Sequence, residues 1–351
     1  MLCSARFGQL AGTGLLVATS AACAATQPLV YSDPAPEAAG IRHVSASSSE
    51  IRPVPRVSDH VIVISIDGLR PDAIDRFGAG TLQRLIREGS YSLEATTITP
   101  SITLPSHASM LTGVEPSVHG ITWNENQVEE VGRVVVPTIF SLARSGGLHT
   151  AAFFSKGKFD HLILPGSVDH AVLPEGDGFW LADRTAEEVE NYLASERPNL
   201  TFVHFGDTDY AGHLIGWMSP VYGWAVDMAD AAVARVLAAA DEAFGPGGYT
   251  VIVTSDHGGH GRTHGTTEEA DMTIPWIAWG KGVRSGVELP ATIHTTDTAA
   301  TALWLLGLAT PPDLAGAPVQ TAFDAPNALP GGLHPHPADI ATQPGSQLLG
   351  R

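Results

Sequence analysis

The chain has 351 residues, a formal charge of -18 at neutral pH and 44% apolar residues. That length and apolar share are ample for one large core. The acidic surplus excludes nucleic-acid duplexes and anionic membranes as partners, because binding them demands basic patches, so a small anionic substrate has to be held by metals and local dipoles.

Residues 1–24 carry Arg6, an apolar, small-residue run from Leu10 to Ala22, and an Ala22-Cys23-Ala24 site. This pattern predicts an export signal cleaved near Ala24, too short to span a membrane, and hence a periplasmic or secreted protein. Lipid anchoring at Cys23 is the alternative, although Ser20 stands where a large aliphatic residue is usual for it. Both cysteines, Cys3 and Cys23, lie in this segment, so the mature protein has no thiol for a disulfide, a nucleophile or a metal. Residues 25–58 are rich in Pro, Ser and Ala without periodicity and read as a linker or draped arm. A catalytic domain is expected over 59–325 and a poorly ordered Pro/Gly/His-rich tail over 326–351.

The domain opens with the β-branched run His60 to Ile66, a buried strand that stops at Asp67-Gly68. A helix is predicted over Pro71–Arg87, with Pro71 suited to its first turn, then a strand from Leu93 to Ile98. The stretch Thr99 to Gly113 reads as a loop entering a helix that begins near Pro105 and closes at Gly113. The Thr103 hydroxyl then lies at a helix N-terminus, where free N–H groups favour phosphate or another anion; an ordinary N-cap is the competing interpretation. Further elements are a helix over Thr138–Ser145, a strand over His149–Phe154, helices over Arg184–Ala194 and Val221–Phe244, and a closing helix over Thr296–Leu308. Ile274–Trp279 is predicted as a strand, peripheral because of Pro275. Strands alternating with helices imply an α/β fold with a mostly parallel central sheet flanked by helices on both faces.

Two more buried strands end in acids: Leu200–Phe205 leads to Asp209 and His213, and Val251–Thr254 leads to Asp256, His257, His260 and His264. In open α/β sheets ligands bind beyond the carboxyl ends of the strands. Carboxylate oxygens with imidazole nitrogens suit zinc or a similar divalent metal better than calcium, and this many donors are more economical for two ions than for one. A turn with solvated histidines is the bland alternative for the Asp256 stretch alone.

Five passages share one order with the alkaline phosphatase superfamily: Ile66-Asp67-Gly68, Thr103-Leu104-Pro105-Ser106-His107, Thr112 to Ile121, Asp209 to His213, and Asp256-His257 with His264 beyond. Within it the chain most resembles the nucleotide pyrophosphatase/phosphodiesterase branch. The resemblance implies that Asp209, His213 and His264 hold one zinc and that Asp67, Asp256 and His257 hold a second. It implies Thr103 as nucleophile, bound to the second metal, and Asn124 as a hydrogen-bond donor to a phosphoryl oxygen. The final histidine comes sooner after the Asp-His pair than is usual, which leaves His260 as the alternative to His264. A sulfatase would need Cys or Ser at position 103 and an Arg near 107, where this chain has Thr and His. His107, His119, His149 and His204 are expected to be structural or surface residues. The implied activity is hydrolysis of phosphodiester or pyrophosphate bonds of small phosphate esters through a phospho-threonine. Lys156 and Lys158 keep a threonine-dependent phosphomonoesterase in play, since related phosphatases place a basic pair in such a loop, and a non-catalytic metal-binding protein of the same fold is the third possibility.

Overall fold

The computed structural model describes residues 28–32 and 55–324. The expectations of an export signal, of a lipid anchor at Cys23 and of a loose tail fall on residues outside these. One nine-stranded sheet comprises β1 (Pro28–Ser32), β2 (Val61–Ile66), β3 (Ser90–Thr96), β4 (Thr150–Phe153), β5 (His170–Pro174), β6 (Leu200–Phe205), β7 (Thr250–Thr254), β8 (Thr273–Gly280) and β9 (Val287–Glu288). Its order is β1-β5-β4-β6-β2-β7-β8-β3-β9.

The middle of the sheet, β5-β4-β6-β2-β7, is parallel throughout. Every residue of β2, β6 and β7 is buried, because helices cover both faces and neither can be polar. Alternate side chains of β2 separate the two cores. Val61 and Val63 join the helices at Thr103–Thr112, Ile139–Ser145 and Asp297–Leu305, while Ile62, Ile64 and Ile66 join those at Pro71–Arg76, Gly80–Glu88, Ala182–Leu193 and Pro220–Phe244. The expected α/β architecture is therefore present. β6 and β7 pair with the two edges of β2, with Ile66 opposite Phe205 and Ser65 opposite Thr254. Three adjacent parallel strands thus deliver their carboxyl ends to one place.

Four local expectations change. Part of the presumed linker, Pro28–Ser32, is β1, an edge strand antiparallel to β5; Leu29 and Tyr31 pack inward and Tyr31 donates to Asp160 Oδ1 at 2.9 Å. The helix expected over 71–87 is two, because Gly78 takes φ +71° and Phe77 turns away to fill the space beside Gly223. The helix expected to begin near Pro105 starts at Thr103, two residues earlier. Finally, β8 is not peripheral: it lies between β7 and β3, antiparallel to both. Its proline is tolerated because the β7 ladder ends at the Thr254–Trp276 pair and the β3 register is broken by a bulge between Ser92 and Ala95. No ladder hydrogen bond needs the N–H that Pro275 lacks.

Phe202 on β6 packs against Phe140 and Phe154, with ring centroids 6.4 and 5.4 Å away. Phe202→Ala is expected to destabilise the protein by about 3–5 kcal/mol in chemical unfolding, against about 0.5 kcal/mol or less for Val135→Ala at a position that is 84% exposed.

Candidate active site

Each of the three strand-end acids commits one oxygen and leaves the other open. Asp67 Oδ2 accepts from Lys156 Nζ at 2.7 Å and from the His204 ring at 3.0 Å. Asp209 Oδ2 accepts from the same ammonium at 2.6 Å, and Asp256 Oδ1 accepts the Gly68 N–H at 3.0 Å. The remaining atoms, Asp67 Oδ1, Asp209 Oδ1 and Asp256 Oδ2, are buried and accept no hydrogen bond. A buried carboxylate oxygen without a partner is costly, and all three point at imidazole nitrogens.

The histidines have the complementary arrangement. The Nδ1 atoms of His257, His264 and His213 lie 2.8, 2.8 and 3.1 Å from the carbonyl oxygens of Gly258, Ser101 and Arg262. A carbonyl only accepts, so each Nδ1 carries the proton in the neutral ring and each Nε2 offers a lone pair. His257 Nε2 is 3.4 Å from Asp67 Oδ1 and 3.2 Å from Asp256 Oδ2; His213 Nε2 and His264 Nε2 are 3.3 and 3.5 Å from Asp209 Oδ1. Two groups of three side chains, Asp67/Asp256/His257 and Asp209/His213/His264, therefore converge closely enough to hold a metal ion each. Unpartnered oxygens and free imidazole lone pairs are the donor chemistry a divalent ion requires.

His260 is not part of either group. Its Nδ1 meets Asp271 Oδ1 at 2.7 Å, which pins the 258–271 loop from outside. Of the two histidines considered for the last ligand, His264 is the one the chain brings to Asp209 and His213.

Trp217 explains the glycines of two motifs. Its indole donates to Gly68 O at 3.0 Å and lies so close to the backbone that a Cβ at Gly212 or Gly259 would come within 2.6 or 2.2 Å of the ring. The helix Asp207–Ile215 and the loop after Asp256 are set by this one side chain, and the rings of His213 and His264 also rest on it, 5.1 and 5.8 Å away.

The helix Thr103–Thr112 is buried along its whole length. Thr103 is inside the first turn and makes no capping bond. Its Oγ1 instead faces His257 Nε2 at 3.3 Å, so the N-cap interpretation does not hold. Asn124 Oδ1 accepts the next N–H, that of Leu104, at 2.9 Å, and also the Lys158 ammonium at 3.0 Å. Lys158 and His161 lie three apart on the 3₁₀ turn Gly157–Leu162, where such residues eclipse one another. His161 donates from Nδ1 to Gly132 O, and its Nε2 accepts the Gln127 N–H at 3.1 Å and the Trp123 indole at 3.4 Å, holding the segment that carries Asn124.

The charges divide unequally. Burial raises the Asp67 carboxyl, but Lys156 and His204 hold it well below the usual range; Asp209 is likewise held down by Lys156 against burial. Burial and the Asp67 charge push Asp256 well above it. Lys156, despite burial, is carried above an ordinary lysine by Asp209 and Asp67, whereas burial and the neighbouring Lys156 lower Lys158 to about 8. Burial and His257 lower His264 to about 4, and burial also lowers His257, as suits neutral ligands.

His107 and His204 are buried, as expected of structural histidines, yet both touch the site. His107 Nδ1 donates to Thr103 O at 2.8 Å and its Nε2 meets Ser65 Oγ, while His204 holds Asp67. The signal for His204 was position: a histidine inside a largely apolar buried strand must have a polar partner. His119 is bonded to Ser109 and Ile121, and His149 to Tyr192, away from the two acid groups. Lys156 was expected at the substrate; it lies instead between Asp67 and Asp209. Lys156→Met is expected to destabilise chelator-treated protein by about 3–5 kcal/mol and metal-loaded protein by much less, as read from paired unfolding curves.

The family model of type I phosphodiesterases/nucleotide pyrophosphatases matches residues 61–266, more than half of the chain. A human relative, ectonucleotide pyrophosphatase/phosphodiesterase family member 5, is 23% identical over 214 residues, covering 56% of this chain and 44% of its own. The chain thus spans less than half of that relative's length. Murine ectonucleotide pyrophosphatase/phosphodiesterase 5, solved in complex with AMP, superimposes with a TM-score of 0.62 at 16% identity, over 73% of this chain and 96% of that one. A phosphonate monoester hydrolase from Silicibacter pomeroyi does so at 0.60 and 16%, over 78% of each chain. These structures share the fold, and the matched segment holds Asp67, Thr103, Asp209, His213, Asp256, His257 and His264: the chain belongs to the type I phosphodiesterase/nucleotide pyrophosphatase family.

Proposed function

We propose that the protein is a metal-dependent phosphoesterase that hydrolyses phosphodiester or pyrophosphate bonds of small molecules through a phospho-threonine. The observation that carries this reading is the Thr103 hydroxyl, buried, not spent on capping, and 3.3 Å from His257 Nε2 at the edge of the Asp67/Asp256/His257 group. Zinc is the ion the mixed nitrogen and oxygen donors fit best. Two such ions, one in each group, would lower the pKa of the Thr103 hydroxyl and of a water and would neutralise charge on the leaving oxygen.

Thr103 gives up its proton, its oxygen bonds to phosphorus, and the bond from phosphorus to the leaving oxygen breaks in line, the leaving oxygen taking up the equivalent proton through solvent. Water then attacks the phospho-threonine from the side the alcohol has left, the bond from phosphorus to the Thr103 oxygen breaks, and that oxygen recovers a proton from the attacking water. Asn124, its Oδ1 engaged by the Leu104 N–H and Lys158, would turn its amide nitrogen to a non-bridging oxygen, so positioning and electrostatics contribute most. His257 and His264, lowered by burial, are neutral near neutral pH and need no proton loss to take a metal, whereas Asp256, raised by burial and by the Asp67 charge, would release its proton on loading. Thr103→Ala should keep its metal content and unfolding temperature while losing at least about a hundredfold in kcat, and Thr103→Ser should retain a good part. Chelation should abolish turnover of bis-nitrophenyl phosphate and zinc should restore it; full turnover without metal would sink the proposal, and metal binding without any turnover would leave only a binding protein.

A phosphomonoesterase is the second reading, favoured by one contact: Lys158 Nζ on Asn124 Oδ1, next to the nucleophile's helix turn. A monoester carries an extra anionic oxygen, and a charged hydrogen bond to it is worth roughly 1.5–3 kcal/mol. Lys158 is charged below about 8. If it holds that oxygen, kcat/KM for nitrophenyl phosphate falls as pH rises through that value, the limb moves upward in Lys158→Arg, and the preference over the diester collapses in Lys158→Ala. A diester preference unchanged by Lys158→Ala supports the first reading.

A further inference from the structure

The helix Asp207–Ile215 carries two faces side by side. Asp209 and His213 are four apart and form the ligand face; Tyr210 and Leu214, one residue on from each, form the next strip around the helix, about a hundred degrees away. Tyr210, Leu214 and the adjoining Ile215 are 54%, 50% and 52% exposed, which is unusual for a cluster of large apolar side chains. The strip does not stand alone. Phe179 stacks on Tyr210 with ring centroids 5.1 Å apart and planes 18° apart. The same Phe179 is paired with Lys156 through a backbone bridge, and a Cβ built at Gly206 would meet both the Phe179 ring and the Lys156 stem, whose ammonium reaches Asp67 and Asp209. Leu181, 49% exposed, follows in the same extended stretch, which Asp207 ties to the helix by accepting the Ala182 N–H. The half-exposed His213 shows that the acid and imidazole groups open to solvent along this flank.

The two flanks of the site differ in kind. Thr103, Asn124 and Lys158 make the nucleophile side polar and cationic. The opposite side, next to Asp209 and His213, is aromatic and aliphatic. Arg262 is the cation there, and its Nε is spent on the His213 carbonyl at 2.9 Å. In an in-line displacement the leaving group departs opposite the nucleophile, hence toward this strip.

We infer that Tyr210 and Leu214, backed by Phe179, form a subsite for an apolar leaving alcohol, so that the substrate class is phosphodiesters of an aryl or alkyl-chain alcohol. The inference rests on the phosphodiesterase reading above and specifies what it releases. An apolar group leaving water against this strip gains roughly 25 cal/mol per Å² covered, a gain unavailable to a hydrated diphosphate.

The test compares methyl 4-nitrophenyl phosphate with its 2-hexyl-4-nitrophenyl counterpart, whose leaving phenols are similar in acidity, and with ATP, whose leaving group is a diphosphate. Expected is a kcat/KM at least about tenfold higher for the hexyl ester, consistent with partial burial of a few methylenes. Tyr210→Ser and Leu214→Ser should each bring that ratio toward one, by lowering kcat/KM for the hexyl ester several-fold more than for the methyl nitrophenyl ester, with metal content and unfolding temperature unchanged. Equal rates for the two aryl esters, an unaltered ratio in both variants, or a preference for ATP that depends on Arg262 overturns the inference and leaves the phosphodiesterase reading in place. No turnover of any diester by metal-loaded protein overturns both.

Discussion

Three buried carboxylates at the ends of adjacent strands are the constraint that the rest of the structure answers. Asp67, Asp209 and Asp256 are brought together by the pairing of β2 with β6 on one side and β7 on the other, in a sheet whose strands are apolar on both faces. Such a cluster repels itself and has lost its water. The fold responds with one ammonium shared by two of the acids, a backbone N–H for the third, and a histidine on β6 that steadies the first. What these contacts leave over, one open oxygen on each carboxylate, is where the imidazole lone pairs converge.

Legibility in the sequence followed the same division. Uninterrupted β-branched runs halting at Asp declare a buried parallel strand and a site beyond its end, and those strands stand where the sequence put them. The acids and histidines could be named as candidate donors because they follow the strand ends, while their division into two groups, with His264 ahead of His260, came from the resemblance to the family. Partnerships across the chain could not. Nothing near Lys156 in sequence tells that its ammonium lies between Asp67 and Asp209, because that contact is made by a loop after β4 reaching across β6. Nothing near His161 tells that it fastens the segment around Asn124.

Pro275 and Pro28 show the opposite kind of error, a sound local rule overtaken by context. Proline removes one donor, and the rule confines it to places where the ladder does not need that donor. In β8 such a place arises deep in the sheet, because one neighbour ends and the other bulges at that level. In β1 a proline-bearing segment read as a draped arm becomes an edge strand because Leu29 and Tyr31 alternate toward the core and Tyr31 finds Asp160.

Lys156 also sets the sign of the field that an incoming phosphate meets. Asp67 and Asp209, both held in the charged form, share the single Lys156 ammonium, which leaves the pair anionic, and the whole chain, at -18, adds to the repulsion. Filling both ligand groups with divalent cations would reverse that local sign, and the ammonium would not need to leave, since it holds the carboxylate oxygens that His213, His257 and His264 do not face. Under the proposed function, metal loading would therefore act ahead of the chemistry, by setting whether an anion is attracted to Thr103 or repelled from it.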